Sequence, residues 1–334
     1  MALFSPNFSQ RLSVIRDTLE SPAMPPSTRQ IEAEVRATLF EDLVPEGGIQ
    51  HENNVASLLS KDRTASLIAS DASLSAELHL KEPARICGQA WFDAAFRYMD
   101  PGVEIQWHVA EGEDAVPGIV ATLKGAAAAM LCAERSALNW LQTLTGTATQ
   151  AREWARRLEV ASSGRTRLLD TRKTIPGLRI AQKYATRVGG VINHRLGVWD
   201  AVLIKENHIA ACGSIRAAVE CARERDLEAA RLQAPAARWI EVETESLDEV
   251  QQALDAGADW ILFDEFPLPE LTRAVQMTRG RAIAEASGDV TPERFGRLAG
   301  TGIEFLSSGA LTKHLRATDF SLRYRGTAKV TTQR

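Results

Sequence analysis

Six short apolar runs in the second half of the chain each end in residues capable of chemistry. These are Asp170-Thr171-Arg172-Lys173, Lys205-Glu206-Asn207-His208, Glu241 with Glu243, Asp264-Glu265, Glu285 through Gly288, and Ser307-Ser308-Gly309. Arginine forks and lysine point charges recognise carboxylate and phosphate, so Arg172, Lys173, Arg195 and Lys205 suit an anionic small molecule. Glu243 and Asp264 bring the opposite sign; such carboxylates hold ribose hydroxyls or Mg²⁺, or stabilise a developing carbocation. Ser287-Gly288 and Ser308-Gly309-Ala310 offer backbone N–H groups ahead of helices, a seat for a phosphate monoester. Either glycine alone could serve a tight turn, but two on adjacent strands favour phosphate. Cations, then carboxylates, then a phosphate cradle describe a site for a phosphorylated sugar and an anionic co-substrate.

The charge distribution supports that reading. Residues 165–208 carry nine Lys or Arg against three acids, in a chain whose formal net charge is −4. Arg179, Lys183 and Arg187 recur at i, i+4, i+8 and read as a solvated helix face. Arg172, Lys173, Arg195 and Lys205 flank strand ends or a Gly-Gly turn, where solvation explains them less well. A lone histidine is more often a structural hydrogen-bonding group, yet His194 beside Arg195 reads as a ligand contact.

The elements that must hold these residues are legible as alternation. Strand-like runs at 168–169, 201–204, 239–240, 260–263, 282–284 and 303–306 are separated by amphipathic helical stretches, which implies βα units around a parallel sheet. Pro176 is expected to open one helix, Ser246 with Glu249 forms a capping-box pattern, and Thr291-Pro292 opens another. The glycine fingerprint of a dinucleotide fold is missing after the first strand, so a barrel is favoured over a doubly wound sheet. In such a barrel the site gathers at the C-terminal ends of the strands. The first half reads differently. Ile31, Val35 and Leu39 mark a helix, a polar stretch runs from Glu41-Asp42 to Asn54, and short alternating runs at 65–68 and 103–107 suggest a small antiparallel sheet with a helix near 88–99. A long helix from Ala133 to about Leu158 leads into the second domain.

Two domains also follow from the length of 334 residues. The slightly negative charge argues against nucleic acid or an anionic membrane as the main partner, and no run approaches the ~18 apolar residues of a membrane span. The N-terminal residues show no small-residue cleavage site, so a cytoplasmic protein is expected. Cys87, Cys132, Cys212 and Cys221 are scattered without metal-ligand spacing and read as buried or half-buried free thiols.

The same residues resemble the quinolinate phosphoribosyltransferase family. The resemblance runs through Leu169-Asp170-Thr171-Arg172-Lys173-Thr174-Ile175-Pro176-Gly177-Leu178-Arg179, Lys183-Tyr184-Ala185, Gly189-Gly190, Asn193-His194-Arg195 and the stretch 200–209. It extends to Glu134-Arg135-Ser136-Ala137-Leu138-Asn139, Glu241-Val242-Glu243, Ala256-Gly257-Ala258-Asp259, Glu285-Ala286-Ser287-Gly288, the stretch 309–314 and the closing run 317–322. It implies an N-terminal α/β sandwich over 1–134, completed by 310–334, and an open seven-stranded α/β barrel over 135–309. It implies a homodimer in which one subunit's N-terminal domain covers the other's barrel, with Arg135 reaching the partner's site. Arg135, Arg172, Lys173, His194 and Arg195 would then clamp quinolinate, with Thr171 beside them. The 5'-phosphate of 5-phosphoribosyl-1-pyrophosphate would sit at Ser287, Gly288, Asp289, Ser308, Gly309 and Ala310. Lys205 would hold pyrophosphate, while Glu243 and Asp264 would face the ribose and, with Mg²⁺, its leaving group.

Four positions depart from the family's usual pattern. Phe263-Asp264-Glu265 stands for Leu-Asp-Asn, Asp289 for Gly or Asn, Ser308 for Val, and Asn53-Asn54-Val55-Ala56 lacks an Asp-Ile-Thr signature. Other readings are a Schiff-base lyase using Lys205, a paralogue with another anionic acceptor, and a binding dimer without turnover. A lysine among polar groups disfavours the first, and the dicarboxylate clamp disfavours the second.

Overall fold

The computed structural model describes residues 8–20, 25–44, 55–232 and 234–325. In chain order these form α1 (Phe8–Leu19), α2 (Thr28–Leu43), α3 (Val55–Lys61), β1 (Ser73–Leu80), β2 (Ala84–Arg85), α4 (Gln89–Met99), β3 (Glu104–Trp107), β4 (Asp114–Ala115), β5 (Gly118–Ala126), α5 (Ala127–Ser162), β6 (Arg167–Leu169), α6 (Arg179–Val188), β7 (Val202–Ile204), α7 (Glu206–Cys212), α8 (Ile215–Arg231), β8 (Ile240–Thr244), α9 (Leu247–Asp255), β9 (Trp260–Asp264), α10 (Leu268–Thr278), β10 (Ile283–Ser287), α11 (Phe295–Ala299), β11 (Phe305–Ser307), α12 (Ala310–Lys313) and β12 (Phe320–Arg325). They divide into one unit of Met1–Ala23 with Ala151–His314 and another of Met24–Gln150 with Leu315–Arg334. The division differs from the expected 134/135 and 309/310. Helix α5 continues unbroken through 134, so no linker exists there, and α1 belongs with the parallel sheet.

The unit of residues 24–150 and 315–334 is built on an antiparallel sheet of order β12-β1-β5-β3. Alternation sets its faces: Leu74, Ala76, Leu78 and Leu80 of β1 are buried, whereas Ser73 and Ser75 are exposed. The late strand β12 pairs with β1 at Leu78↔Leu322, and β5 pairs with its other edge at Leu78↔Ala121. Trp91, Phe92, Phe96 and Met99 of α4 are buried, and Trp91 stacks on Trp140 at 6.0 Å. Ser27 caps α2, and Ile31, Val35 and Leu39 line its buried face. The run at 65–68 is a 3-10 turn instead of a strand. Asp62 Oδ1 accepts from the amides of Thr64 and Ala65 at 2.8 and 2.9 Å, which fixes a turn that extended backbone could not make. The expected departure at Asn53-Asn54 lies outside the described residues.

The other unit carries a parallel sheet of order β6-β11-β10-β9-β8-β7, with each expected apolar run supplying one strand. A seventh strand is reduced to one parallel bridge, Leu169↔Ile192, at the β6 edge. Leu169, Ile192, Ala201, Trp239, Trp260, Ile283 and Phe305 share one buried cluster. Residues near both sheet edges meet there, so the sheet curls into an open barrel with these side chains inside. The opposite face, including Val242, Ile261, Ala284 and Leu306, packs against the surrounding helices. Leu12, Ile15 and Leu19 of α1 join the inner cluster, while Arg16 pairs with Glu304 and Arg11 with Asp259.

Local starts vary from expectation in instructive ways. Ser246 accepts from the Glu249 amide at 3.3 Å, but the Glu249 carboxylate takes the Glu245 amide at 2.7 Å, one residue before the position a full capping box requires. Thr291 precedes a 3-10 turn at Pro292–Arg294 that runs into α11. Pro176 does not open a helix. It stands in a turn with Gly177 at φ +82°, and α6 begins at Arg179.

Candidate active site

Inward positions recur every second residue along each strand. Trp239, Glu241 and Glu243 share that face through β8; Trp260, Leu262 and Asp264 do so on β9, and Ile283, Glu285 and Ser287 on β10. The barrel interior therefore has an aromatic floor, an ionic middle layer and a polar rim.

At the rim, the Lys205 ammonium pairs with the Glu243 carboxylate. Thr171 Oγ1 accepts from the Lys173 amide at 3.0 Å, and Thr312 Oγ1 donates to the Lys173 carbonyl at 2.7 Å. A Cβ on Gly309 would fall 2.7 Å from Lys173 Cδ and 3.3 Å from Thr171 Oγ1. The absent side chain thus lets the loops after β6 and β11 meet. Buried Ser308 donates its hydroxyl to the Val290 carbonyl at 3.2 Å and accepts from the Ala310 amide at 3.4 Å. Asp264 ends β9 partly exposed. Glu265 (φ +55°) and Asp289 (φ +43°) both adopt left-handed backbone. A Cβ at Gly288 (φ +87°) would lie 2.5 Å from Glu265 Cγ and 3.0 Å from its backbone nitrogen. The Glu265 amide donates to the Ser287 carbonyl at 3.2 Å, which locks these two loop starts together.

The middle layer centres on His194. Its Nε2 lies 3.0 Å from Glu241 and 3.4 Å from Glu285, and both carboxylates are fully buried. Trp239 and Trp260 pack edge-on to the ring at 5.6 and 5.5 Å. Burial alone would lower the imidazole pKa, but the charges of Glu241 and Glu285 outweigh it and raise the value to about 10. Burial likewise raises Glu285, with His194 opposing. These three side chains bring ligand atoms within 4.8 Å of one another and could hold a metal ion. Glu243 and Asp264 belong to no such group of three among the described residues.

His194 and Arg195 are positioned from behind. Asp170 Oδ1 accepts the His194 amide at 3.0 Å, while its Oδ2 accepts from Thr186 Oγ1 at 2.8 Å and Asn193 Nδ2 at 2.6 Å. Lys183 pairs with Asp170 and also donates to the His194 carbonyl at 3.0 Å. With 1% of its side chain exposed, Lys183 is not on a solvated face. Arg195 Nη1 donates to the Ala201 carbonyl at 3.0 Å. Burial lowers the Arg195 pKa, with Glu241 opposing and Arg172 adding repulsion. The buried Nε of Arg172 has no protein acceptor.

Arg172, Lys173, Gly309, Lys205 and Glu243 are thus brought to one end of the barrel. Arg135 belongs to the other unit, exposed on α5. Sequence reasoning gives no specific role to Asp170, Glu241 or Glu285, and reads Lys183 as part of a solvated helix face. The Glu241-Val242-Glu243 alternation signalled two inward acids. For Lys183 the clue was its place among buried Ala181, Gln182, Ala185 and Thr186. Cys212 and Cys221 are exposed rather than buried, while Cys87 and Cys132 are buried as expected, and all four are free. Among the described residues no helix is long and apolar enough to cross a membrane.

An open α/β barrel with clustered cations, carboxylates and glycine loops at the strand ends is the class of enzyme that transfers groups between anionic small molecules. The chain belongs to the quinolinate phosphoribosyl transferase family: the family's N-terminal domain matches residues 62–145 and its C-terminal domain residues 147–323. It is 38% identical over 262 residues to a probable nicotinate-nucleotide pyrophosphorylase [carboxylating] of Bacillus subtilis, covering 78% of this chain and 87% of that one. A Synechocystis protein of the same description is 40% identical over 234 residues, covering 69% and 76%. The solved nicotinate-nucleotide pyrophosphorylase of Francisella tularensis superposes with a TM-score of 0.79 at 35% identity, covering 91% of this chain and 99% of that one.

Proposed function

We propose that the chain transfers the phosphoribosyl group of 5-phosphoribosyl-1-pyrophosphate to quinolinate, releasing pyrophosphate and CO₂ and forming nicotinate mononucleotide for NAD synthesis. The observation that carries this reading is that one barrel end holds both the Lys205–Glu243 pair and the Gly309 loop closed on Lys173 and Thr171. Arg172, Lys173 and Arg195 take the two carboxylates of the acceptor, with His194, its Nε2 turned to Glu241 and Glu285, contacting it through the rest of the ring. Glycine loops at Ser287-Gly288 and Gly309-Ala310, with Asp289 and Ser308 framing them, take the 5'-phosphate.

The C1–O bond to pyrophosphate breaks, and Lys205 receives the negative charge that develops there. Glu243 and Asp264 face the oxocarbenium-like ribose and stabilise it. The pyridine nitrogen then bonds to C1. The resulting pyridinium accepts the electron pair as the 2-carboxylate departs as CO₂, and a proton from solvent completes the ring. Rate enhancement comes from positioning and fixed charge, with no covalent enzyme intermediate. Two rim carboxylates are hard oxygen donors that suit Mg²⁺, so Glu243 and Asp264 would hold the ion, which supplies charge neutralisation to the leaving pyrophosphate. The family resemblance supports a homodimer in which Arg135 completes the partner's site, and four free cysteines, two of them exposed, support a reducing, cytoplasmic setting.

The test is an assay with quinolinate, 5-phosphoribosyl-1-pyrophosphate and Mg²⁺, following nicotinate mononucleotide and CO₂. Lys173→Ala is expected to abolish turnover. Mixing Arg135→Ala with Lys173→Ala protein should restore part of it through one intact shared site. Absence of product from the wild-type chain would overturn the assignment.

A further inference from the structure

The buried Asp170–Lys183 pair is an expensive way to fill space. Both side chains are shielded from solvent, Lys183 lies among Ala181, Ala185 and Thr186, and burial lowers its pKa against the pull of Asp170. Apolar residues of similar volume are often as stable as a buried ion pair, or more so, and stability alone does not explain the arrangement. Its geometry does. Asp170 Oδ1 takes the N–H of His194, Lys183 Nζ donates to the carbonyl of the same residue at 3.0 Å, and Asp170 Oδ2 takes the Asn193 side chain. Both backbone groups of one residue are tied to one ion pair. Asn193 also donates to the Lys183 carbonyl at 2.8 Å, so the three residues close on themselves. The segment lies beyond the single bridge at Ile192, where almost no sheet pairing holds it.

We infer that Asp170 and Lys183 are positioning residues that replace the missing strand, fixing Asn193-His194-Arg195 so that the acceptor's carboxylates meet preset cations. This deepens the proposed function and rests on it. The phosphate seat at Ser287-Gly288 and Gly309 is built on other loops, so the two substrates should respond differently.

The experiment measures binding of quinolinate and of 5-phosphoribosyl-1-pyrophosphate by calorimetry for the wild type, for Asp170→Leu with Lys183→Met, and for Asp170→Asn with Lys183→Gln. The apolar pair should weaken quinolinate on the order of 30-fold, the scale of a small misplacement of binding groups, and leave 5-phosphoribosyl-1-pyrophosphate within about twofold. The neutral polar pair keeps an acceptor and a donor for His194 and should recover most of the loss. Equal weakening of both ligands, or no weakening, would overturn the inference while leaving the proposed function standing. A wild type that binds no quinolinate would sink both. Should the apolar pair fail to fold, hydrogen exchange in the wild type decides: the His194 amide should exchange only with global unfolding, and fast exchange refutes the tether.

Discussion

The two halves of the barrel rim are held by opposite means. The cationic half, from Asp170 to Lys205, is fixed by buried side chains that grip a short, nearly unpaired segment. The half after β9 and β10 is fixed by backbone, with Gly288, Glu265 and Asp289 all at positive φ and Glu265 filling the space a Cβ on Gly288 would need. The first arrangement is vulnerable to loss of one charge. The second is vulnerable to a new Cβ at Gly288. A catalytic surface built this way has two independent failure modes.

That contrast can be broken most forcefully at Lys183. Lys183→Met alone strands the Asp170 carboxylate in the interior and should cost ~3–5 kcal/mol in chemical denaturation, whereas pairing it with Asp170→Leu should return only part of that loss, because the His194 N–H then lacks its acceptor. Near-additive effects of the two single changes would contradict the picture. On the backbone side, Gly288→Ala must adopt φ near +87° and meet Glu265, for a loss of ~1–3 kcal/mol. Gly309→Ala has an ordinary φ of −75° and should fold normally, but its Cβ displaces Lys173 and should reduce turnover more than stability.

A subtler test uses pH. Because the His194 pKa is raised from 6.5 to about 10, its contribution to stability is complete below about pH 6.5 and is lost as pH rises through 10. The raised Glu285 acts in the same direction. Melting temperatures should therefore fall between pH 7 and 10, and less so in Glu285→Gln; imidazole NMR shifts that titrate near 6.5 would contradict the ionic layer. The smallest expected effect sharpens the backbone side. Glu265→Asn places a residue that tolerates left-handed backbone at φ +55° and should stabilise by ~0.5–1 kcal/mol. The same geometry explains why Asn or Gly is usual at these two positions, since either adopts left-handed backbone without strain; nothing in the structure explains Glu265 or Asp289 there.

Much of this was visible in the residue order. The six apolar runs, their polar ends and the period-2 placement of Glu241 and Glu243 predict the parallel sheet and its rim, because strand alternation is a local property. The seventh strand was not, since Val191-Ile192 is too short to show a pattern and pairs at one residue. Lys183 was misread because charge spacing along a helix says nothing about which face meets a buried carboxylate 13 residues earlier. Pro176 misled because Gly177 makes a turn before α6 can begin. The domain division was misplaced because α5 serves both units without a break in periodicity.

The threading of the two units has a consequence for how a ribosome delivers them. Residue 11 finds its partner 248 positions later, residue 16 waits for one 288 positions later, and Glu77 meets Arg325 across another 248. At ordinary translation speeds those intervals last on the order of 10–60 s. During that time the apolar side of α1 and one edge of β1 have no cover. Neither element can finish packing until its late partner has emerged.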